Sequence, residues 1–430
     1  MEDLPWYRSR KYLHFDRPLG QKAAYDYVTA PGKVARHSFY PFITYTSEVI
    51  KCRFDRNFRV FVKAPKLRPI SYAAHMDSHI YAYYCSLLSE KYEEELVSRG
   101  LHTSVLAFRS IDSKNNIHFA RDAFAEIKAR GECCVLAFDV EKFFDRLDHA
   151  ILKQAWAKLL DEKYLPADHF SVYKSLTKSA RVDKLLLYKK LGVSLHNPSV
   201  SDARLCSAKQ FRDEVRVGGL VSTNTEARGI PQGSPISALL SNVYMMQFDL
   251  ALLDFLMHTE SVFYRYCDDL LIICDLDHED AVHDFVDVNI RNLQLSLQHA
   301  KTEVSHFTYD VSGVLRADKP IHYLGFSFDG QNEYIRSSSI TRYYKKMRKK
   351  IWLTKKAMDR CNALRAKRGE LPKELFLRSL YKGYSCVGRR NFISYGFKAA
   401  KIMNSKSIRK QLRPHWNKMN QLITEAISSS

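Results

Sequence analysis

Two apolar runs near the middle of the chain set the pattern. CCVLAFDV begins with six apolar residues, Cys133 to Phe138, which predict a buried strand, and the first acid after them is Asp139. FYRYCDDLLIICD, from Phe263 to Asp275, reads as a strand, a turn carrying Asp268 and Asp269, and a second strand, hence a β-hairpin with acids at its tip. Between them, ALLSNVYMMQFD (Ala238 to Asp249) has a helical pattern. If the strands are neighbours in one sheet, Asp139 faces the Asp pair. Adjacent carboxylates repel, and an apolar surround raises the cost of ionising either one, so positive charge is expected there.

The rest of the chain falls into three parts. Residues 1–125 are mixed, rich in Tyr and His, and contain a Pro-punctuated basic stretch, FVKAPKLRPISY (Phe61 to Tyr72). Residues 126–335 alternate helical patterns with short strand-like runs that end at acids. Residues 336–430 read as helical apart from a break near Arg368 to Pro372. There is no internal repeat, and the only low-complexity element is the terminal SSS.

Composition fits a globular protein of more than one domain, with 430 residues, 46% of them hydrophobic. No apolar run approaches the roughly 20 residues that span a bilayer, and the N-terminus lacks a secretory segment, so a soluble, intracellular protein is expected. Nine cysteines without a C-x-x-C pair suggest neither a zinc site nor a disulfide framework, and Cys133 and Cys134 read as small core residues.

The net charge of +20 is localised. From Arg336 onward there are 25 Lys and Arg against four acids, whereas the first 335 residues carry 42 basic and 43 acidic side chains. RYYKKMRKKIWLTKKAMDRCNALRAKRG interleaves its cations with Tyr343, Tyr344, Met347, Ile351, Trp352 and Leu353 at spacings that suit a helix with one apolar face. A solvated helix face normally mixes both signs. A long one-signed surface points to a polyanion, and nucleic acid is the commonest.

Three carboxylates facing one another, with no Cys or His assigned to them, favour magnesium over zinc. Two ions about 3.5–4 Å apart clamp the attacking and leaving oxygens of phosphoryl transfer. Each acid alone has an ordinary alternative: Asp-Asp is common at turns, and Asp139 reads equally as a helix N-cap before Val140.

Five boxes in order resemble the reverse transcriptases, specifically the bacterial group that includes group II intron and retron enzymes. Tyr266-Cys267-Asp268-Asp269 matches the Y-x-D-D box, LAFDVEKFFDRLDH the box with the first catalytic Asp, and RGIPQGSPISALLSNVYMMQFD (Arg228 to Asp249) the box between them. LSLQHAKTEV (Leu295 to Val304) resembles the segment carrying the family's Lys, and HYLGFSF (His322 to Phe328) its primer grip. The resemblance implies an α+β right-hand polymerase fold: fingers within 1–125, a palm with fingers insertions over 126–335, and a helical basic thumb over 336–430. It implies RNA-directed DNA polymerase activity, with an RNA template, deoxynucleoside triphosphates and a cDNA product.

The same resemblance assigns roles. Asp139, Asp268 and Asp269 are the catalytic acids and, with Val140, hold two Mg2+ ions, for which Mn2+ can substitute. Phe144, five residues beyond Asp139, stands at the sugar gate, where an aromatic ring against C2′ excludes a 2′-hydroxyl; its plain alternative is a core aromatic, with Phe143 and Phe144 dividing the two jobs. Gln232 contacts the incoming nucleotide in a loop shaped by Gly229, Pro231, Gly233 and Pro235. Lys66 and Arg68, assisted by Lys63, grasp the triphosphate. Lys301 serves the leaving pyrophosphate, or is simply a surface charge. Tyr323, Leu324 and Gly325 form the primer grip. Arg342, Lys345, Lys346, Arg348, Lys349 and Lys350 contact nucleic-acid phosphates, while Tyr343, Tyr344 and Trp352 pack in the core or stack on bases, the core being preferred.

KYLHFDRPL, HSFYPFITY, RPISYAAHMDSHIYAYYCSLLSEKYEEEL and SVLAFRS look like the defence-associated reverse transcriptases, most narrowly their class 2. That likeness implies a structured noncoding RNA as template for repetitive cDNA, and protection of a bacterial host against phage. No zinc-type endonuclease signature, RNase H segment or long extension beyond the thumb is evident, which disfavours an autonomous intron protein. The stretch from about Leu160 to Glu226 departs from minimal retroviral patterns and carries no assignment. A nonenzymatic maturase-like RNA-binding protein, and a template-independent or protein-primed DNA polymerase, remain as alternatives.

Overall fold

The computed structural model describes residues 4–55, 60–196, 198 and 202–428. Its long hairpin of β1 (Phe42–Asp55) and β2 (Val60–Tyr72) joins β4 (Ala180–Asp183) and β5 (Ser222–Thr223) in a sheet of order β2-β1-β4-β5. β2 contains Pro65 and Pro69, which remove ladder donors. The strand tolerates them because it lies at the sheet's edge. The stretch without an assignment, 160–226, therefore supplies two strands of this first sheet, and β4 pairs parallel with β1.

A second, antiparallel sheet has the order β6-β7-β3-β8-β9. It comprises β3 (Cys133–Asp139), β6 (Val262–Tyr266), β7 (Asp269–Cys274), β8 (Glu303–Tyr309) and β9 (Leu315–Ala317). The apolar run predicted as a strand is its central member. Side chains alternate across it. Cys134, Leu136 and Phe138 pack with Leu240, Val243 and Phe248 of the helix Ser237–Met257 and with Val282 and Val286 of the helix Glu279–Asn292. Cys133 and Val135 face the opposite layer, with Phe124 and Ile127 of the helix Asn116–Arg130. That helix runs across residue 125, the boundary expected between the first two parts. A third sheet of β10 (Ile321–Tyr323), β11 (Phe326–Phe328) and β12 (Glu333–Ile335) shares this second layer.

The C-terminal region is helical as expected: Ser337–Ala366, Arg378–Tyr384, Phe392–Ile402, Lys406–Leu412 and His415–Ser428, with residues 367–377 as the break. One expectation needs correction. Ser237–Met257 is long and apolar enough, by length and composition, to cross a membrane, because the helix continues past Asp249 through a second apolar stretch. Most of that helix is buried within the fold.

Inside it, Asp249 binds the Arg265 guanidinium from β6, with Nε to Oδ1 at 2.6 Å; the two side chains are 0% and 1% exposed. Arg265 also donates to Asn242 Oδ1 (3.0 Å) and to the Cys267 carbonyl (3.3 Å). Removing one partner of a buried ion pair leaves an uncompensated charge. Asp249→Ala is expected to lower stability by about 3–5 kcal/mol in urea unfolding, whereas Glu95→Ala, at the exposed pair with Arg99, should move the midpoint little.

Candidate active site

β6 and β7 are joined by the two-residue turn Cys267-Asp268. Cys267 takes φ of +62° and Asp268 does not leave the ordinary negative range, the pattern of a type II′ hairpin turn. A non-glycine residue held there costs roughly 1–2 kcal/mol. The turn is anchored from behind by Arg265 at the Cys267 carbonyl, and from the side by the Val140 N–H, which donates to the Asp268 carbonyl (3.2 Å). Register does the rest: Asp139, the last residue of β3, lies directly opposite Asp269, the first of β7. The hairpin expected from sequence is present, with Asp269 already in the strand rather than in the turn.

The carboxylates of Asp268 and Asp139 act on that of Asp269. Burial, and then the charges of Asp268 and Asp139, push the Asp269 carboxyl up to about 6 even though its edge meets solvent, while Lys301 and Arg336 act against the rise. Lys301, in the short turn before β8, donates to Asp139 Oδ1. Lys66 projects toward the same cluster from β2. Burial and the nearby cations Arg68 and Lys301 push its ammonium below the ordinary lysine range, and Asp139 and Asp268 pull it back. Arg68 is two residues further on the same strand and exposed. Of Lys63 only the backbone, paired with Cys52, lies within the described residues; its side chain does not.

Residues 228–236 lie against the end of β2 and the segment that follows β3. The Ser71 N–H at the end of β2 donates to the Gln232 carbonyl (2.8 Å), and the Ile230 N–H to the Phe144 carbonyl (2.9 Å). Two glycines permit these approaches. Gly233 has φ of +110°, and a Cβ there would lie 2.5 Å from the Ser71 carbonyl oxygen; Gly229 has φ of +83°, and a Cβ would lie 2.8 Å from that of Asp145. Phe143 is buried in the core, and Phe144, 5.7 Å away between ring centroids, is half-buried. Asp139 is not a helix cap, since the next helical turn begins at Phe143 behind Lys142.

Leu324 and Gly325 form the tight turn between β10 and β11, both with positive φ (+47° and +92°). Tyr323 points inward instead: its ring is buried and its hydroxyl has no hydrogen-bond partner. On the helix Ser337–Ala366, Tyr343, Met347 and Ile351 are buried at successive four-residue steps, and Arg342, Lys345, Lys346, Arg348, Lys349 and Lys350 are all exposed. Trp352 departs from the expected core position. It is 56% exposed with the Lys356 ammonium 4.9 Å from its ring, because the buried seam follows Tyr343, Met347 and Ile351 and leaves position 352 beside it. Leu353 is exposed for the same reason.

Two contributors went unremarked in the sequence. Arg265 sits inside FYRYCDD as the one charged residue on an otherwise apolar strand, a signal that it needs a buried partner. Arg336 acts on Asp269 and lies 3.7 Å from Glu303; nothing local marked it among so many cations.

The donor set suits hard divalent ions: carboxylate oxygens from two strand ends and a turn. No oxygen triplet from Asp139, Asp268 and Asp269 lies within 4.8 Å in this arrangement, in which Lys301 holds Asp139 Oδ1. Lys301 already stands where positive charge compensates the cluster. Charge and donor chemistry therefore fit a hard divalent cation.

Residues 63–328, more than half of the chain, match the family described as "Reverse transcriptase (RNA-dependent DNA polymerase)". No curated protein matches the chain at a significant level. Solved structures similar to it include apo telomerase from Candida tropicalis truncated from its C-terminal domain (12% identity, TM-score 0.41, 72% of this chain and 58% of that one). Telomerase from Candida albicans in complex with a TWJ fragment of telomeric RNA is another (14% identity, TM-score 0.39, 96% and 69%). The chain thus spans under two thirds of the length of the first of these. With the aspartates at the ends of neighbouring palm strands and the matched segment enclosing them, the chain belongs to the reverse transcriptase family, whose members are RNA-directed DNA polymerases and nucleotidyltransferases.

Proposed function

We propose that this protein copies a structured noncoding RNA into cDNA by two-metal phosphoryl transfer, in the cytoplasm of a bacterium and in the service of antiviral defence. The observation that carries the catalytic part is the register that sets Asp139 opposite Asp269, with Asp268 in the adjoining turn. The template and the defence role rest on the resemblance of the N-terminal stretches to defence-associated reverse transcriptases, class 2 most narrowly.

Asp139, Asp268 and Asp269, with the main-chain carbonyl of Val140, would hold two Mg2+ ions, which supply Lewis acidity at the primer 3′-hydroxyl and neutralise charge on the departing pyrophosphate. Lys66 and Arg68 bind the triphosphate as a point charge and a planar fork. Lys301, within reach of Asp139, donates to the leaving pyrophosphate. Phe144 sits against the sugar and excludes a 2′-hydroxyl, and Gln232 orients the nucleotide from a loop held to β2 at Ser71. Leu324 and Gly325 guide the primer end, and the exposed cations from Arg342 to Lys350 hold duplex phosphates without reading sequence. The retained acids disfavour a protein that binds RNA without copying it.

Protein co-purified with its RNA should incorporate deoxynucleotides in Mg2+, giving cDNA that matches one bound RNA. The Asp268→Ala, Asp269→Ala double variant should give none, and equal synthesis by it would overturn the assignment. Phe144→Ala should relax exclusion of ribonucleotides by about 10- to 200-fold in relative kcat/KM. Mg2+ should raise the thermal midpoint of the wild type more than that of Asp269→Asn, whereas in chelator the variant should melt higher because one repelling charge is gone. Duplex affinity should fall roughly 10³- to 10⁵-fold between 50 and 200 mM salt if about 6–10 phosphates are contacted, and a Lys345→Ala, Lys346→Ala, Lys349→Ala variant should show a shallower salt slope in fluorescence anisotropy.

A further inference from the structure

At the opposite end of β3 from Asp139, a different set of donors converges. Cys134 pairs across the ladder with Cys274 of β7 on one side and His306 of β8 on the other, so the three side chains share one row of the sheet. Glu279, the first residue of the helix Glu279–Asn292, closes the row from above: its Oε2 lies 3.6 Å from Cys134 Sγ and 2.5 Å from His306 Nε2. One donor atom each from Cys134, Glu279 and His306 lies within 4.8 Å of the other two. Five residues of extended chain separate this row from the catalytic end, or about 17 Å.

We propose that Cys134, Glu279 and His306 bind one zinc-class divalent cation, with water on the open side. Sulfur, imidazole and carboxylate from three elements form a borderline-soft set that Zn2+ prefers and Mg2+ does not. The sulfur-to-oxygen distance already matches the edge of a tetrahedral zinc site, about 3.6 Å given Zn–S near 2.3 Å and Zn–O near 2.1 Å. The imidazole and carboxylate must part by about 1 Å to admit the ion.

A second observation points the same way. His306 Nδ1 faces Asp318 Oδ2 at 3.4 Å, and Asp318 is fixed by the His306 and Lys319 N–H groups (2.9 and 2.7 Å). A carboxylate behind the far ring nitrogen keeps a proton on Nδ1, so that loss of the Nε2 proton on binding leaves the Nε2 lone pair facing a metal. An ordinary His306–Glu279 ion pair needs neither this backing nor a buried thiol within reach. Cys274, whose thiol interacts with that of Cys134, can donate to a metal-bound thiolate. Access exists, since His306 is 41% exposed while Cys134 is buried. Binding exchanges the Cys134 thiol proton and the His306 Nε2 proton for the cation, releasing two protons per ion without redox change. The absence of a C-x-x-C pair hid this set, because its members come from residues 134, 279 and 306.

The test is metal content and cobalt spectroscopy on the full chain, purified under reducing conditions in Mg2+. One equivalent of zinc per chain is expected in the wild type and in the Asp268→Ala, Asp269→Ala variant, with loss of at least tenfold in His306→Gln and Glu279→Gln. Both positions are partly exposed, so neither substitution disturbs the apolar layer. Co2+ added to metal-free protein should give near-ultraviolet thiolate-to-cobalt absorption that Cys134→Ser abolishes. Metal content below a tenth of an equivalent with no such absorption would overturn the proposal. So would zinc retained by His306→Gln and Glu279→Gln, or a Cys134–Cys274 disulfide found by mass spectrometry in place of bound metal.

Discussion

Electrostatic repulsion at one end of the central sheet's strands is the constraint around which this molecule is built. Asp139 and Asp269 are register partners on adjacent strands, and Asp268 is the residue just before Asp269, in the turn. Left to themselves, three such charges favour separation of β3 from the β6–β7 hairpin. Apolar burial along both faces of β3, and the central helix behind it, hold the strands together against that tendency. Arg265 completes the restraint by joining the turn to the helix Ser237–Met257 through Asp249 and Asn242, so that the acidic tip cannot relax without exposing a buried charge.

What could be read from the sequence follows from how local each signal is. The central strand and the acidic hairpin were legible because a six-residue apolar run and a strand–turn–strand pattern are complete within a dozen residues. The long β2 strand was not, because Pro65 and Pro69 argue against a strand unless its edge position is known, and that position depends on β1 pairing with β2 on one side and β4 on the other. Likewise Trp352 lies in the right helix but beside the buried seam, a difference of one residue that depends on where the helix His415–Ser428 packs.

The candidate site divides along the same line. The three acids and the GIPQGSP loop could be picked out by type and order. Contacts such as Lys301 on Asp139, 162 positions earlier, or Arg336 near Asp269, come from elements whose approach no local pattern encodes. The soft donors at the far end of β3 are the extreme case: each is unremarkable in its own segment, and only antiparallel pairing brings them into one row. β3 thereby carries only carboxylate oxygens at one end and a mixed set of sulfur, imidazole and carboxylate at the other.

The glycine-shaped loop has a mechanical meaning as well. Gln232 is tied to β2 through Ser71, while two residues earlier Ile230 is tied to Phe144, five residues beyond Asp139. With Gly233 pressed on one carbonyl and Gly229 on another, there is no slack between these attachments. The same short loop therefore braces the edge strand β2 against the turn that follows β3, so that two elements far apart in the chain are pinned to one backbone segment.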